Sequence, residues 1–310
     1  MSQRTIEYAS GGSDEPALEP ITPVVDTLLW RSSTLGSKPI PITVVADRES
    51  SLDPATADAL IHFSGFGERI DSAGVAAVRT YGALGLRHVV VVDLPFWLIS
   101  PDQLPHMLAE APNAVAEQLG APRRIIDSFG QSRGGIFPIG AAEAPELWRG
   151  VIGMGNPAGV TNDQLGRTAL ARTFRLAWQL GAQNSLQWPP DLGIGRVGTR
   201  AIAELARYRQ NLLASLNYAM GPELSTQLGK ALQTLHPDHM LALFANTRDP
   251  LYRLAHYHEF ARRYELNGLV HPVEGHFHPG ALVRAGRAQQ ASFVMWLSDV
   301  RAQRDSFSHL

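Results

Sequence analysis

The fold is decided by the stretch IIDSFGQSRGG at residues 125–135, which contains the pattern Gly-x-Ser-x-Gly. Two apolar residues open the stretch, as expected for the end of a buried strand. Gly130 and Gly134 predict a tight turn from that strand into a helix, because Cβ atoms at these positions would collide with the neighbouring backbone. Such a turn lifts the Ser132 hydroxyl above the sheet edge and directs the first helix amides toward negative charge beside it. Ser132 is therefore a candidate nucleophile.

Strand-like and helical segments alternate on both sides of this turn. The run Val89–Val92 is typical of a strand that is covered on both faces. Other strand-like runs lie at residues 58–63, 123–127, 151–155, 241–246 and 269–273. Residues 40–46 contain a proline and predict an edge strand, and residues 104–119 predict a helix with a break before Pro112. The alternation predicts an α/β fold, a mostly parallel sheet flanked by helices, with ligands at the carboxyl ends of the strands.

The chain divides into four predicted segments. Residues 1–23 are rich in Gly, Ser, Glu and Pro, which predicts a flexible leader. Residues 24–155 and 237–310 form the two parts of the α/β core. Between them, residues 156–236 show helical periodicity without a convincing strand. We therefore predict a helical cap subdomain that is inserted late in the sheet.

The motif around Ser132 resembles the nucleophile turn of the α/β-hydrolase superfamily, and the predicted cap lies where many members carry theirs. The resemblance implies a catalytic triad in the chain order nucleophile, acid, base. Asp249 and His276 each follow a predicted strand in that order, so the implied triad is Ser132, Asp249 and His276. Residues at the carboxyl ends of parallel strands should converge on one cleft.

Two further residues compete for these roles. His278 is a rival base, but Gly275 before His276 and an aromatic residue after it match the superfamily pattern and favour His276. Asn156 occupies the alternative position of the acid, after the preceding strand, and cannot ionise. This favours Asp249 as the acid.

The segment Ser64-Gly65-Phe66-Gly67 resembles the oxyanion loop of the same superfamily, with Ser64 in place of the usual histidine. The resemblance implies that the backbone N–H groups of Phe66 and Arg133 hold the tetrahedral oxyanion. Loss of one such donor costs on the order of 3 kcal/mol of barrier.

The resulting expectation is a serine hydrolase that cleaves a small-molecule ester through an acyl-enzyme on Ser132. A serine at this position argues against the epoxide and haloalkane branches that the fold resembles, since these use aspartate there. Ser64 and the side chain of Arg133 leave alternatives open. These are a non-catalytic ligand-binding or scaffold protein, an acyltransferase, and a C–C bond hydrolase.

Composition excludes several other classes. The chain has 310 residues, of which 45% are hydrophobic and 18% charged, so a compact globule is expected. A net charge of −2 argues against nucleic acid as a partner. Because there is no cysteine, disulfides and thiolate chemistry are excluded. We find no membrane-spanning run or secretory signal and expect a cytoplasmic protein; the oligomeric state stays open.

Two other patterns resemble a cofactor motif and a metal site but lack the required context, so we expect neither a cofactor nor a metal. Residues 193–198 match the dinucleotide fingerprint, but no strand precedes them. The pairs His256/His258 and His276/His278 lack a carboxylate-rich ligand set.

The predicted cap carries eight basic and four acidic residues, a net charge of +4. This indicates either a solvated helix face or attraction of an anionic substrate.

Overall fold

The computed structural model describes residues 23–36, 38–47, 59–65, 74–86, 88–96, 99–121, 123, 125–160, 218, 221–249, 252–266, 268–274 and 284–308. Several predictions fall on residues outside these ranges: the leader over 1–22, most of the predicted cap (161–217), the fingerprint at 193–198, and the residues Phe66, His276 and His278. The predicted domain boundaries therefore stay predictions.

Eight strands and six α-helices are found in the described ranges. The strands are β1 (Pro23–Trp30), β2 (Ile40–Asp47), β3 (Ala59–Phe63), β4 (Val89–Asp93), β5 (Ile126–Gln131), β6 (Ile152–Gly155), β7 (Leu241–Asn246) and β8 (Val270–Val273). The helices are α1 (Val75–Ala83), α2 (Leu104–Gln118), α3 (Pro138–Ala141), α4 (Pro222–Leu235), α5 (Leu254–Arg263) and α6 (Arg284–Ser308). Short 3₁₀ helices cover Pro101–Gln103, Ser132–Ile136 and Pro145–Leu147.

All eight strands form one sheet in the order β1-β2-β4-β3-β5-β6-β7-β8. The strands β3 to β8 are parallel, whereas β2 runs antiparallel to both of its neighbours. The prediction of a mostly parallel sheet flanked by helices is confirmed. Parallel strands bring their carboxyl ends to one edge of the sheet, so the residues that follow β3, β5, β6 and β7 share that edge.

The prediction that residues 40–46 form an edge strand was wrong, because β1 lies outside β2 and is the edge strand. Pro41 is tolerated since it faces Leu29 of β1 only, and pairing with β4 begins at Thr43. A proline at this position therefore removes no hydrogen bond to the central strands.

Helices cover both faces of the sheet. Helices α1 and α6 pack on one face around buried residues such as Tyr81 and Phe293. Helices α2 to α5 pack on the other face in a larger cluster that includes Trp148. The stripe predicted in the last helix lies in the core: Phe293, Leu297 and Val300 are buried and Trp296 packs against them.

The predicted break before Pro112 was also wrong, since α2 continues through it to Gln118. The next residue, Asn113, binds the helix to its surroundings through hydrogen bonds to the carbonyl oxygen of Gly140 (2.8 Å) and from Trp148 Nε1 (2.7 Å). Contacts with other elements thus offset the donor that proline lacks.

Candidate active site

The chain turns sharply at Ser132, directly after β5. Gln131 has extended backbone angles (φ −108°, ψ 139°), whereas Ser132 has φ 51° and begins the 3₁₀ helix Ser132–Ile136. A non-glycine residue in this left-handed region costs on the order of 1 kcal/mol and persists only where the surroundings impose it. Ser132 is 8% exposed, so the turn lies within the folded core rather than on a loose loop.

The surroundings that impose this turn are backbone atoms packed against the two flanking glycines. A Cβ on Gly130 would lie well inside van der Waals contact with the carbonyl group of Gly134, and one on Gly134 would overlap the backbone of Phe63 and Ser64. Backbone cannot move aside as a flexible side chain can. Packing therefore requires the glycines of the Gly-x-Ser-x-Gly pattern, as the sequence predicted.

Asp249, the predicted acid, lies three residues beyond β7 and is buried. Its Oδ1 accepts a hydrogen bond from the backbone N–H of Tyr252 at 3.3 Å, and its Oδ2 accepts one from Asn156 Nδ2. The strand β6 separates β7 from β5, which carries Ser132 at its end. Both candidate residues thus lie beyond the same edge of the sheet, on strands that share one neighbour.

Asn156 connects that shared neighbour to Asp249. It follows β6 directly, is fully buried and has φ 42°. While its Nδ2 donates to Asp249, its Oδ1 accepts hydrogen bonds from Asn246 N (2.8 Å) and from Gln289 Nε2 on α6. Gln289 Nε2 also donates to the carbonyl oxygen of Phe244 at 3.0 Å. The amide therefore fixes the carboxylate to two strands and a helix.

The sequence singled out Asn156 only because it cannot ionise, and missed that it binds the acid. One signal was available: an asparagine directly after a strand tolerates left-handed backbone and can donate to a carboxylate at the next strand end.

His276 and Phe66, the predicted base and one predicted oxyanion donor, lie outside the described residues. The structure does describe the strand that precedes each of these residues. Strand β8 pairs with β7 and ends at Val273, three residues before His276. Strand β3 pairs with β5 and leads into Ser64 and Gly65, directly before Phe66.

The predicted oxyanion loop begins at a fixed point beside the turn. The backbone N–H of Ser64 donates to the carbonyl oxygen of Val92 at 2.9 Å, and both Ser64 and Gly65 are buried. The hydroxyl oxygen of Ser64 is buried with no hydrogen-bond partner in the part of the chain that the structure describes. Loop residue Ala158 holds the turn from the other side, since its N–H donates to the carbonyl oxygen of Ser132 at 2.9 Å.

Arg133, directly after the candidate nucleophile, has a buried side chain with an ion-pair partner, which sequence reasoning did not identify. Its Nη2 lies 3.1 Å from Asp93 Oδ1 at the end of β4 and 3.4 Å from the carbonyl oxygen of Gly65. Its guanidinium carbon lies 4.1 Å from the centre of the Phe96 ring. Asp93 balances the charge, and the aromatic face adds a cation–π contact.

Burial shifts the pKa of three side chains in the described core, two of which lie near Asp249. Burial raises the pKa of both Tyr252 and Tyr257, and the charge of Asp249 raises each further, so both phenols stay protonated. Burial lowers the pKa of His62, on β3, to about 3. Its Nδ1 lies 2.7 Å from the hydroxyl oxygen of Tyr81. His62 is thus a neutral core histidine rather than a base near pH 7.

The described residues contain neither a candidate metal site nor a candidate membrane span. No group of three His, Cys, Asp or Glu side chains among the described residues could hold a metal ion. None of the helices in the described ranges is long and apolar enough to cross a membrane.

No family model matches the sequence, and no curated protein matches it. Solved structures do match. A putative lipase from Acinetobacter baumannii AYE is 17% identical with a TM-score of 0.59, covering 90% of this chain and 93% of the other. The 2-hydroxy-6-oxo-6-phenylhexa-2,4-dienoate hydrolase from Rhodococcus sp. strain RHA1 is also 17% identical with a TM-score of 0.59, covering 90% of this chain and 100% of the other.

A third similar structure has another activity in its name. The haloalkane dehalogenase from Bradyrhizobium elkani USDA94 is 15% identical with a TM-score of 0.56, covering 91% of this chain and 100% of the other. Since the named activities differ and the identities are low, the likeness establishes architecture and not reaction. The fold predicted from residues 125–135 is confirmed: the chain has the α/β-hydrolase fold.

Proposed function

We propose that the chain is a serine hydrolase that cleaves a small-molecule ester through an acyl-enzyme on Ser132. The observation that carries the proposal is the left-handed backbone of Ser132 at the end of β5, between two glycines that the packing requires. This geometry holds a hydroxyl at the carboxyl edge of the sheet, next to the amides that open a helical turn. Buried Asp249 beyond the same edge supports the proposal.

In the proposed mechanism His276 takes the proton of the Ser132 hydroxyl as Oγ bonds to the ester carbonyl carbon. The N–H groups of Phe66 and Arg133 hold the oxyanion. When the intermediate collapses, the bond to the alcohol oxygen breaks and His276 protonates that oxygen. Water then attacks the acyl carbon while His276 takes its proton. The bond between that carbon and Ser132 Oγ breaks, His276 returns the proton to Oγ, and the acid leaves. Asp249 orients the imidazole and stabilises its charged form.

The proposed substrate class rests on the fold and on the identity of the nucleophile. An ester is the most frequent substrate of serine nucleophiles on this fold, and a protein described as a putative lipase and an esterase are among the similar solved structures. The haloalkane dehalogenases share the architecture. Their branch carries aspartate at the nucleophile position, whereas this chain carries Ser132.

The proposal is tested by the intact mass of the protein after reaction with a fluorophosphonate. Attack by the Ser132 oxygen forms an O–P bond and releases fluoride, so the wild type should gain one phosphonyl group and Ser132→Ala none. Ser128→Ala is the matched control, because Ser128 is a second buried serine nearby. It lies on β5, and its hydroxyl donates to the carbonyl oxygen of Val151 at 3.2 Å. This control should react like the wild type. An unlabelled wild type would refute the hydrolase proposal and favour the ligand-binding alternative.

The same assay assigns the base. His276→Ala should slow labelling by at least about 10³-fold, whereas His278→Ala should change it little. Labelling and ester hydrolysis should rise with pH around 6.5, where an unperturbed histidine loses its proton. A rate that falls across this range would contradict a neutral histidine base. Loss of labelling in His278→Ala alone would transfer the role to that residue.

A panel of esters that vary in chain length and charge then addresses the substrate. Partition of the acyl group between water and an added alcohol distinguishes a hydrolase from an acyltransferase. Release of acid in proportion to ester consumed supports the hydrolase, whereas transfer that dominates at low alcohol concentration would replace it with the transferase.

A further inference from the structure

The side chain of Arg133 joins three parts of the molecule that border the candidate nucleophile. It is 5% exposed and contacts Asp93 at the end of β4, the carbonyl oxygen of Gly65 after β3, and the ring of Phe96. A guanidinium buried to this extent is costly unless it is paired, and Asp93 supplies the opposite charge at 3.1 Å. The ion pair is thereby held beside the nucleophile turn.

The contact with Gly65 has a consequence for the proposed oxyanion hole. The carbonyl oxygen of Gly65 and the N–H of Phe66 belong to the same peptide unit. Such a unit is planar and trans, so its C=O and N–H point in opposite directions. A group that holds the Gly65 oxygen therefore sets the direction of the next amide N–H, the predicted oxyanion donor.

We propose that Arg133, fixed by Asp93, is a positioning residue that orients the Gly65–Phe66 peptide and so preorganises the oxyanion hole. This inference rests on the proposed function. A charge-assisted donor at the carbonyl oxygen of Gly65 opposes rotation of this peptide. Because Asp93 already pairs with the guanidinium, this role differs from the binding of an anionic substrate.

The test compares Arg133→Met with the wild type in the rate of fluorophosphonate labelling, resolved into the maximal rate and the concentration for half-maximal rate. Loss of one oxyanion donor slows acyl transfer by 10²–10³-fold, and we expect a fall of about that size in the maximal rate. The half-maximal concentration should change by less than about threefold. Arg133→Lys keeps a donor and a charge, and should recover at least about tenfold over Arg133→Met.

Arg301→Met is the matched control for loss of a buried ion pair. Arg301 donates to Asp127 near the start of β5, whereas Ser132 follows its other end. This variant should lose stability but keep the maximal labelling rate. If Arg133→Met does not fold, Asp93→Asn serves instead: Asp93 is 20% exposed, and the amide removes the charge that fixes the guanidinium. We expect it to label about tenfold more slowly than the wild type.

Three outcomes would overturn the inference. One is labelling of Arg133→Met, or of Asp93→Asn where that variant replaces it, within about threefold of the wild-type rate. Another is no recovery in Arg133→Lys. The third is a loss confined to anionic esters and expressed as a higher KM, which would make Arg133 a substrate-binding residue. An unlabelled wild type would refute the proposed function together with this inference, whereas a labelled wild type with an equally fast Arg133→Met refutes the inference alone.

Discussion

Exchange of the two side chains in the Asn156–Asp249 hydrogen bond tests how the candidate acid is held. Asn156→Asp keeps the acceptor that binds Asn246 N and Gln289 Nε2, but replaces the donor with a second carboxylate oxygen. Asp249→Asn keeps a carbonyl for Tyr252 N but removes the charge. The double variant places the carboxylate at 156 and the amide at 249, so the hydrogen bond forms again with its direction reversed.

The expected magnitudes follow from burial. A hydrogen bond to a charged group contributes about 1.5–3 kcal/mol, and both positions are almost fully buried. In Asn156→Asp two carboxyl groups face each other, so one keeps its proton and its pKa rises. The folded chain then binds more protons than the unfolded one, so stability should fall as pH rises, by about 1.4 kcal/mol per unit. The double variant should recover about 3 kcal/mol relative to the sum of the single changes.

The assay is urea unfolding of the four proteins at several pH values, with fluorophosphonate labelling alongside. Asn113→Asp, combined with Asp249→Asn, is the control: Asn113 is a partly buried amide that binds Gly140 O and Trp148 rather than Asp249, so the effects should add. Asp249→Asn should label about 10⁴-fold more slowly, and the double variant should stay slow. Additive effects of Asn156→Asp and Asp249→Asn would refute the hydrogen bond. Recovered labelling in the double variant would show that an acid at position 156 can replace Asp249, and would refute the prediction that the acid must stand at position 249.

Three further predictions concern the stability of the fold. Gly134→Ala should lower the free energy of urea unfolding by about 3 kcal/mol because its Cβ would overlap backbone, whereas Gly85→Ala, with open space and φ 86°, should cost about 1 kcal/mol; equal losses would contradict the packing argument. Between about pH 6.5 and 4 stability should fall as pH falls, by about 1.4 kcal/mol per unit from His62 alone, since burial lowers its pKa to about 3 and only the unfolded chain takes up that proton. His62→Gln should have a shallower slope, and an unchanged slope in urea midpoints would refute this assignment. Glu110→Gln should lower the free energy of unfolding in urea at pH 7 by about 1 kcal/mol, because the carboxylate accepts hydrogen bonds from residues 32–34. The expected loss is small because solvent screens this partly exposed group, and full wild-type stability would show that these bonds contribute nothing.

Local pattern located the central strands and the nucleophile turn, although β5 covers Ile126–Gln131 rather than the predicted residues 123–127. The valine run of β4 and the two glycines around Ser132 report on immediate neighbours, and the structure has them as predicted. β1 was not predicted, because its apolar residues lie on both faces of an edge strand and are mostly exposed, so its sequence lacks the apolar–polar alternation of a half-buried strand. Without β1, β2 was misread as the edge.

The side-chain contacts around the site could not be predicted from the sequence for another reason. Asn156 and Asp249 are 93 residues apart in the chain, and Arg133 and Asp93 are 40 apart. Which polar groups meet at such separations depends on the order of strands in the sheet. The sequence predicted that the sheet is mostly parallel but not which strands are neighbours. The roles of Ser132, Asp249 and His276 stay predictions until labelling tests them.

Backbone strain gives a separate argument for the proposed nucleophile. Three non-glycine residues in the described ranges have positive φ: Ser132, Asn156 and Glu265. Glu265 follows α5, where a left-handed residue ends a helix in the usual way and the N–H of Leu266 bonds to the carbonyl of Ala261. No helix end accounts for the other two, which follow the neighbouring strands β5 and β6. A nucleophile turn needs the first, and the amide that is fixed to a buried carboxylate uses the second. The strain therefore favours a reacting serine at this edge of the sheet.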